Sequence, residues 1–414
     1  MLEQFFGDPV AVERLGEPLG PHLRSFATGL VGLGYAASTV RSQIDFLVEF
    51  GRWLAKNTIT VAEIDERIVD TFLGERRRQG RLRRGQRCTV RSFLDHLRSA
   101  GAVASCEREI PDTPFAALER HYERYLRSER GLTRATLISY LPFVHRFLLE
   151  RFGSGELRFR ELGPSDISSF LLRHVHSMSP GSAKLMGTVF RSFFRFLLQR
   201  GEIEIDLAAS VPTVANWRLS TVPKYLTPKE IQAMLDACNQ ETSTGRRDYS
   251  ILLLVARLGL RAGEVVALNL QHIDWRAGEI TVPGKGLVHD RMPLPVDVGQ
   301  ALAAYLRRDR PRSCESRRVF IRMKAPRRGF ANPSTVSTIV RRALERAGLE
   351  PPVKGAHLLR HSLATEMLRQ GGSLAEIGEV LRHRVPNTTE IYAKVDFHGL
   401  RLLGLPWPAN GGPR

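Results

Sequence analysis

The sequence contains few cysteines and no long apolar run. Its 414 residues include only four cysteines, Cys88, Cys106, Cys238 and Cys314, which are scattered and form no Cys-x-x-Cys pair. This pattern argues against a zinc site and a disulfide framework, and it predicts reduced, semi-buried thiols. No apolar stretch approaches the roughly 20 residues that a membrane span needs, and the first residues lack a basic region followed by an apolar core. We therefore expect a cytoplasmic protein with neither a membrane span nor a signal peptide.

Acidic residues are scarce relative to basic ones. Lys and Arg number 61 against 43 Asp and Glu, which gives a formal charge of +18. Such an excess is typical of a nucleic-acid partner, although charge alone does not separate DNA from RNA or an anionic membrane. A hydrophobic content of 43% with interspersed charge excludes a disordered or fibrous class. The length predicts about two to four domains.

Six residues in the C-terminal half have types and an order that suit the breaking and rejoining of a phosphodiester. They are Arg261, Lys285, His357, Arg360, His383 and Tyr392. His357 and Arg360 are three residues apart within a leucine pattern of helical spacing, so both side chains share one helix face. Lys285 lies between two glycines in an apparent strand-turn-strand segment. A helix with Ser373 as its N-cap and Glu376 three residues on is predicted to end near His383. Another helix is predicted to begin with Thr227 as its N-cap and Pro228 at its first position.

These residue types fit the charge that a phosphodiester develops in its transition state. Arg261 and Arg360 can each place paired donors on the non-bridging oxygens. His357 and His383 can add hydrogen bonds at the same oxygens, and one histidine can accept the tyrosine proton. Tyr392 is the candidate nucleophile. Because a phosphotyrosyl ester retains the energy of the broken bond, religation needs no ATP, no metal and no other cofactor.

The same motifs closely resemble the tyrosine recombinase (phage integrase) family over about residues 225–400. That family carries an arginine in Gly-Leu-Arg-x-x-Glu, a lysine in a Gly-Lys-Gly hairpin, a His-x-x-Arg pair, a second histidine or tryptophan, and a tyrosine nine residues later. The resemblance implies that Lys285 donates a proton to the leaving 5′-oxygen, and we expect Glu264 to orient Arg261. It also implies a 3′-phosphotyrosyl intermediate, and a homotetramer that joins two double-stranded DNA sites and exchanges strands through a Holliday junction.

A diverged internal repeat precedes these motifs. Residues 34–50 parallel residues 131–147 at an offset of 97, and residues 91–101 parallel residues 191–201 at an offset of 100. Apolar residues at helical spacing in both copies predict two similar helical bundles. The middle helix is predicted to begin at Thr60-Val-Ala-Glu63 in the first bundle and at Gly163-Pro164-Ser165-Asp166 in the second. The second bundle resembles the core-binding domain of tyrosine recombinases. The first is additional to the minimal family plan, and it is either a second DNA-binding arm or an oligomerisation module.

The predicted fold class is mainly α, with tandem helical SAM-like DNA-binding bundles followed by a mixed α/β catalytic domain with a small β-sheet. The predicted domains are an N-terminal bundle at 1–106, a core-binding bundle at 115–212, a linker at 213–224, a catalytic domain at 225–397 and a tail at 398–414. The tail either folds back in cis or docks on a neighbouring subunit.

The densest basic cluster of the chain lies in the first bundle. It consists of seven arginines within twelve residues, with no acidic residue among them: Arg76, Arg77, Arg78, Arg81, Arg83, Arg84 and Arg87. We expect this cluster to contact DNA phosphates, with a merely solvated surface as the alternative. Arg134, Lys184, Arg191 and Arg195 are the corresponding candidates in the second bundle.

The function that these observations predict is that of a site-specific tyrosine recombinase, an integrase or transposase of a mobile element, with accessory proteins as further candidate partners. A type IB topoisomerase-like enzyme would use nearly the same residues, but it would act as a monomer on DNA without a defined site. A catalytically silent DNA-binding regulator is another alternative. An RNA-binding protein would leave the six-residue constellation unexplained.

Overall fold

The computed structural model describes residues 17–104, 114–153, 155–214, 222–284, 289–312, 314–396 and 400–401. The chain divides into two compact units, one built from Met1–Ser105 together with Val222–Arg414, and the other from Cys106–Thr221. Lys285, Cys106, most of the predicted linker and nearly all of the predicted tail lie outside the described residues.

Over the described residues 17–104, the N-terminal part of the first unit contains four α-helices around a core of its own. They are α1 (Gly20–Gly32), α2 (Ala37–Lys56), α3 (Glu66–Arg78) and α4 (Gln86–Ser99). Phe26, Phe50, Phe72 and Phe93 are buried between them. These large side chains recur on one face of each amphipathic helix, and their burial is what stabilises so small a bundle.

One predicted helix start in this bundle is wrong. The sequence places the start of the middle helix at Thr60, with Glu63 three residues on. Thr60 and Glu63 do form a capping box, but on a single 3-10 turn at Val61–Glu63. Helix α3 begins only after Asp65, whose carboxylate accepts a hydrogen bond from the Ile68 amide at 2.8 Å. The chain therefore contains two N-terminal caps in succession, and the second one starts the helix.

The described residues of the second unit show the same order of elements along the chain, four α-helices with a 3-10 turn between the second and the third. Its helices are α5 (Pro114–Arg124), which continues into a π-helical turn at Tyr125–Glu129, α6 (Arg134–Phe152), α7 (Pro164–Val175) and α8 (Pro180–Gln199). The predicted start of α7 at Gly163-Pro164 is confirmed. Phe147, Phe170 and Phe190 pack edge-to-face in the core.

The C-terminal part of the first unit combines helices with a three-stranded antiparallel sheet. Its elements are α9 (Pro228–Asp236), α10 (Ser243–Leu258), α11 (Ala262–Ala267), β1 (Ile273–Asp274), β2 (Glu279–Pro283), β3 (His289–Pro293), α12 (Val296–Arg308), α13 (Ser334–Arg346), α14 (Ala356–Arg369) and α15 (Leu374–Val380). The sheet order is β1-β2-β3, with Ile280 opposite Met292. The predicted fold class, mainly helical with a small sheet, is confirmed.

Helix α10 is the centre of this part of the unit. Its residues 250–256 are all buried, and it packs against α12 and α14. A helix that is apolar around its whole circumference must be covered on every side, which explains its central place. The predicted caps are also confirmed: Thr227 caps α9 with Pro228 in its first turn, and Ser373 and Glu376 form the capping box of α15.

The thiols only partly match the expectation. Cys88 is exposed, Cys238 is buried and Cys314 is intermediate, so the semi-buried state is confirmed for Cys314 alone. All three are free. Cys88 faces solvent because it lies in the first turn of α4, on the side away from the bundle core. No helix of the described residues is long and apolar enough to cross a membrane.

Candidate active site

Four short stretches of the first unit carry the candidate residues. Arg261 is the N-cap residue of α11. His357 and Arg360 lie in the first turns of α14. His383 follows α15, and Tyr392 lies on a 3-10 segment at Glu390–Val395 that packs against α14 and α15.

Arg261 is held by a carboxylate on the next helix turn. Its Nη1 donates to Glu264 Oε1 at 2.7 Å, and its backbone amide donates to Glu264 Oε2 at 2.8 Å. The Arg261 side chain remains 40% exposed, whereas that of Glu264 is 8% exposed. Arg261 and Glu264 therefore form an ion pair. It fixes one edge of the guanidinium and leaves part of it open to solvent.

A second arginine, Arg382, reaches the same carboxylate, and sequence reasoning missed it. Arg382 Nη2 donates to Glu264 Oε2 at 2.8 Å, and its backbone carbonyl accepts a hydrogen bond from Arg261 Nη2 at 3.3 Å. Arg382 has a φ of 55°, the left-handed region that non-glycine residues rarely adopt. Burial alone would raise the pKa of Glu264, but the charge of Arg382 and the hydrogen bonds from Arg261 together lower it. Glu264 is therefore a buried anion between two cations.

Arg360 is nearly inaccessible, with 3% of its surface exposed. Its guanidinium donates to the backbone carbonyls of Gly259 and Leu381, which ties α14 to the end of α10 and the end of α15. Glycine is favoured at position 259, because its φ of 59° is strained for residues with a side chain and an added Cβ would lie 2.6 Å from Leu381 Cδ2. Burial, followed by the charges of Arg261 and Arg382, lowers the pKa of Arg360 to about 10, so it stays protonated at neutral pH.

Tyr392 is buried, with 1% of its surface exposed, and its hydroxyl meets a histidine that the sequence analysis did not select. The distance from Tyr392 Oη to His361 Nδ1 is 2.9 Å, and the two rings are in edge-to-face contact. Burial raises the pKa of Tyr392 to about 12, only partly opposed by Arg360. Burial, then His357 and Arg360, lowers the pKa of His361 to about 4. At neutral pH a protonated phenol therefore faces a neutral imidazole.

His361 directly follows Arg360, and its position on the helix could have identified it as a candidate site residue. In α14, residues 357 and 361 are four apart and share a face, and their ring centroids are 6.1 Å apart. His357 itself is exposed to solvent, although the surrounding protein still desolvates its ring. This desolvation, then the charges of Arg360 and Arg261, lowers its pKa.

His383 is oriented by a buried threonine. Its Nδ1 lies 2.8 Å from Thr389 Oγ1, and Thr389 is 3% exposed. This contact occupies Nδ1 and leaves Nε2 as the ring nitrogen that can form another hydrogen bond. Burial, then the charges of Arg360 and Arg261, lowers the pKa of His383 to about 4. The predicted set is therefore brought together around Arg360, except for Lys285, which lies outside the described residues.

This group of side chains carries an excess of positive charge. Arg261, Arg360 and Arg382 supply three cations against one buried carboxylate, Glu264. Burial, and then the neighbouring positive charges, lower the pKa values of the nearby histidines and keep His361 and His383 neutral at neutral pH. A bound phosphodiester would offset the excess charge.

Comparison with known proteins agrees with this geometry. Residues 224–398 match the phage integrase family. A protein of Sinorhizobium fredii named as the integrase/recombinase y4rA is 44% identical over 415 residues, covering 99% of this chain and 100% of that protein. Tyrosine recombinase XerC of Shewanella amazonensis is 31% identical, covering 68% of this chain and 92% of that protein. A lambda integrase tetramer bound to a Holliday junction superposes with a TM-score of 0.51 at 19% identity, covering 74% of this chain and 89% of that one.

The fold and these relatives define the class: a site-specific DNA recombinase that breaks and rejoins DNA strands with a tyrosine nucleophile. The chain belongs to the phage integrase family.

Proposed function

We propose that Arg261, Lys285, His357, Arg360, His383 and Tyr392 form the active site of this recombinase, and that His361 assists Tyr392. The observation that carries the proposal is the buried Tyr392 hydroxyl, held 2.9 Å from a neutral histidine beside Arg360, which itself lies among the charges of Arg261 and Arg382. A structural tyrosine has no need of such a cationic setting, whereas a nucleophile that attacks a phosphodiester does.

The arginines bind and polarise the scissile phosphate. Arg261, with part of its guanidinium exposed, offers its free edge to a non-bridging oxygen, while Glu264 fixes its orientation. Arg360, whose side chain is buried, contributes its positive charge from the protein interior. His357 and the Nε2 of His383 add hydrogen bonds at the same phosphate. These donors act most strongly on the transition state, where charge accumulates on the non-bridging oxygens.

The covalent step exchanges one phosphoester for another. Tyr392 Oη forms a bond to phosphorus, the bond from phosphorus to the 5′-oxygen breaks, and a 3′-phosphotyrosyl ester remains. His361 accepts the proton of the tyrosine as attack proceeds. Lys285 gives a proton to the leaving 5′-oxygen. Rejoining is the reverse reaction, with a 5′-hydroxyl as nucleophile, and no energy source is needed.

The substrate of this reaction is double-stranded DNA that carries specific recombination sites. We propose that four protomers join two such sites, as in the lambda integrase tetramer bound to a Holliday junction. The proposed domains are the N-terminal bundle at 1–106, the core-binding bundle at 115–212, the catalytic domain at 225–397 and a tail beyond it. Integration or transposition of a mobile element is the proposed biological role, in keeping with the integrase/recombinase name of the Sinorhizobium relative.

The test is the trapping of a covalent protein–DNA adduct. Nicked duplexes drawn from the region that flanks the gene are incubated with the wild type, with Tyr392→Phe and with the matched control Tyr249→Phe. Tyr249 lies on α10, and the titratable groups that act on it, Asp236, Cys238, Arg257 and Asp297, are not candidate residues. We expect a denaturation-resistant adduct with the wild type and Tyr249→Phe but not with Tyr392→Phe. An undiminished adduct in Tyr392→Phe would refute the assignment.

A further inference from the structure

The N-terminal bundle contains a basic groove that the active site does not use. The groove lies between the first half of α2 and the connection from α3 to α4, and its volume is about 1430 Å³. Five arginines line it, Arg41, Arg76, Arg81, Arg83 and Arg84, against two acids, Asp45 and Glu49. It is therefore a cationic concavity.

The arginines of the groove have two different roles. Arg76 is ion-paired with Glu49 and lies over the Phe46 ring at 5.2 Å, so it is part of the bundle structure. Arg81, Arg83 and Arg84 are exposed, and no acidic side chain of the described residues pairs with them. Keeping three uncompensated cations next to each other is unfavourable for the isolated bundle and favourable for binding an anion.

Two helices begin at this groove, and neither N-terminus is neutralised. The first residues of α2 and α4 line it, including Ser38 and Gln86. Neither helix has an acidic residue in its first turn or a side-chain cap, in contrast to α9 and α15, which carry capping boxes with glutamates. Their free amide groups and positive dipole ends add to the field of the arginines.

We propose that this groove is a second site for double-stranded DNA, in which Arg81, Arg83 and Arg84 bind the phosphate backbone. A polyanion suits it better than a small ligand, because the three cations are spread along an open concavity. The internal repeat supports DNA as the occupant: at the offset of 100, Arg84 corresponds to Lys184 of the second bundle. Contacts of this kind position the protein on DNA without reading its sequence.

Only part of the seven-arginine cluster seen in the sequence is assigned to phosphate binding. Arg76 is committed to Glu49, and Arg87 lies 3.8 Å from Asp70. Of the seven arginines, these two therefore have acidic partners, and the three in the α3–α4 connection are the ones that bind phosphate.

The test measures the binding of random-sequence duplex DNA by the full-length Tyr392→Phe protein, so that its outcome does not depend on the active-site chemistry. The variant Arg83→Ala/Arg84→Ala is compared with the charge-matched control Arg52→Ala/Arg67→Ala, two exposed arginines of the same bundle outside the groove. We expect the slope of log K against log salt to become shallower by about 1.8 in the groove variant, which is about 0.9 for each lost phosphate contact. The control should keep the parent slope.

Two results would overturn the proposal. One is a groove variant with the same affinity and salt slope as the control, at equal melting temperature. The other is a groove variant whose self-association changes in sedimentation without DNA while its DNA binding does not, which would make the groove a protein interface.

Discussion

Arg382 donates a 2.8 Å hydrogen bond to Glu264, and both side chains are almost entirely buried, at 6% and 8% exposure. The same carboxylate holds Arg261 at 2.7 Å. Arg382 thus keeps Glu264 ionised and fixed in place, and Glu264 in turn orients the partly exposed Arg261. The left-handed backbone of Arg382 is a cost that the ion pair offsets.

Replacing Arg382 should therefore slow cleavage without touching the phosphate-binding groups. Glycine is the appropriate replacement, because it accepts a φ of 55° without strain and removes only the side chain. We expect Arg382→Gly to reduce the rate of adduct formation by about 10- to 100-fold and stability by roughly 3–5 kcal/mol. Denaturant unfolding and single-turnover kinetics measure the two effects.

A double-mutant cycle with Glu264→Gln supplies the control. The effects of the two substitutions should be strongly non-additive, since each removes the same ion pair. Full cleavage rate in Arg382→Gly, or simple additivity of the two changes, would show that Arg382 does not act through Glu264.

Substitution of Arg261 and substitution of Arg360 should have different effects on the stability of the protein. Arg261 is 40% exposed, so Arg261→Ala should reduce the cleavage rate by about 100- to 1000-fold and leave the melting temperature nearly unchanged. Arg360 joins two backbone carbonyls in the interior, so Arg360→Ala should lower the rate and also destabilise the fold by on the order of 3 kcal/mol. Equal loss of stability in the two variants would contradict this division.

His361 should act on the proton of Tyr392, and two substitutions separate orientation from proton transfer. His361→Asn keeps a polar group near the Nδ1 position, whereas His361→Phe removes it and leaves the buried hydroxyl unpaired, at a cost of about 1–3 kcal/mol. If His361 is the acceptor, both variants should form adduct slowly, and raising the pH should partly restore the rate. A rate in His361→Asn equal to that of the wild type would limit the histidine to positioning.

The histidines also predict how stability depends on pH. His361 and His383 each have a pKa of about 4 in the folded chain against an ordinary value of 6.5. Between these values the unfolded chain binds more protons at these two sites. The two histidines should therefore contribute no pH dependence well above pH 6.5, and they should lower the free energy of unfolding as the pH drops from 6.5 towards 4. Urea unfolding at constant ionic strength measures it. The variant His361→Gln/His383→Gln should show a shallower fall, and an equally steep one would assign the effect to other groups.

Much of this arrangement could be predicted from the sequence because it rests on local patterns. The caps at Thr227 and Ser373 and the shared helix face of His357 and Arg360 follow from spacing alone. The roles of Arg382 and His361 could not be found this way, because they depend on which side chains meet when α10, α14 and α15 pack. In the sequence Arg382 is only one member of a basic stretch, because its buried partner, Glu264, is 118 residues away along the chain. His361 is one residue from Arg360, but only the fold shows that it faces Tyr392.

The account depends most on Tyr392 as the residue that bonds to DNA, and the direct measurement is to identify the amino acid that carries the nucleotide. Trypsin would release Tyr392 in the peptide of residues 385–394, which contains this one tyrosine together with Thr388 and Thr389. After nuclease trimming of the wild-type adduct, fragmentation of this peptide by mass spectrometry should place the phosphonucleotide on Tyr392. A nucleotide on another peptide, or on a threonine of this one, would contradict the mechanism.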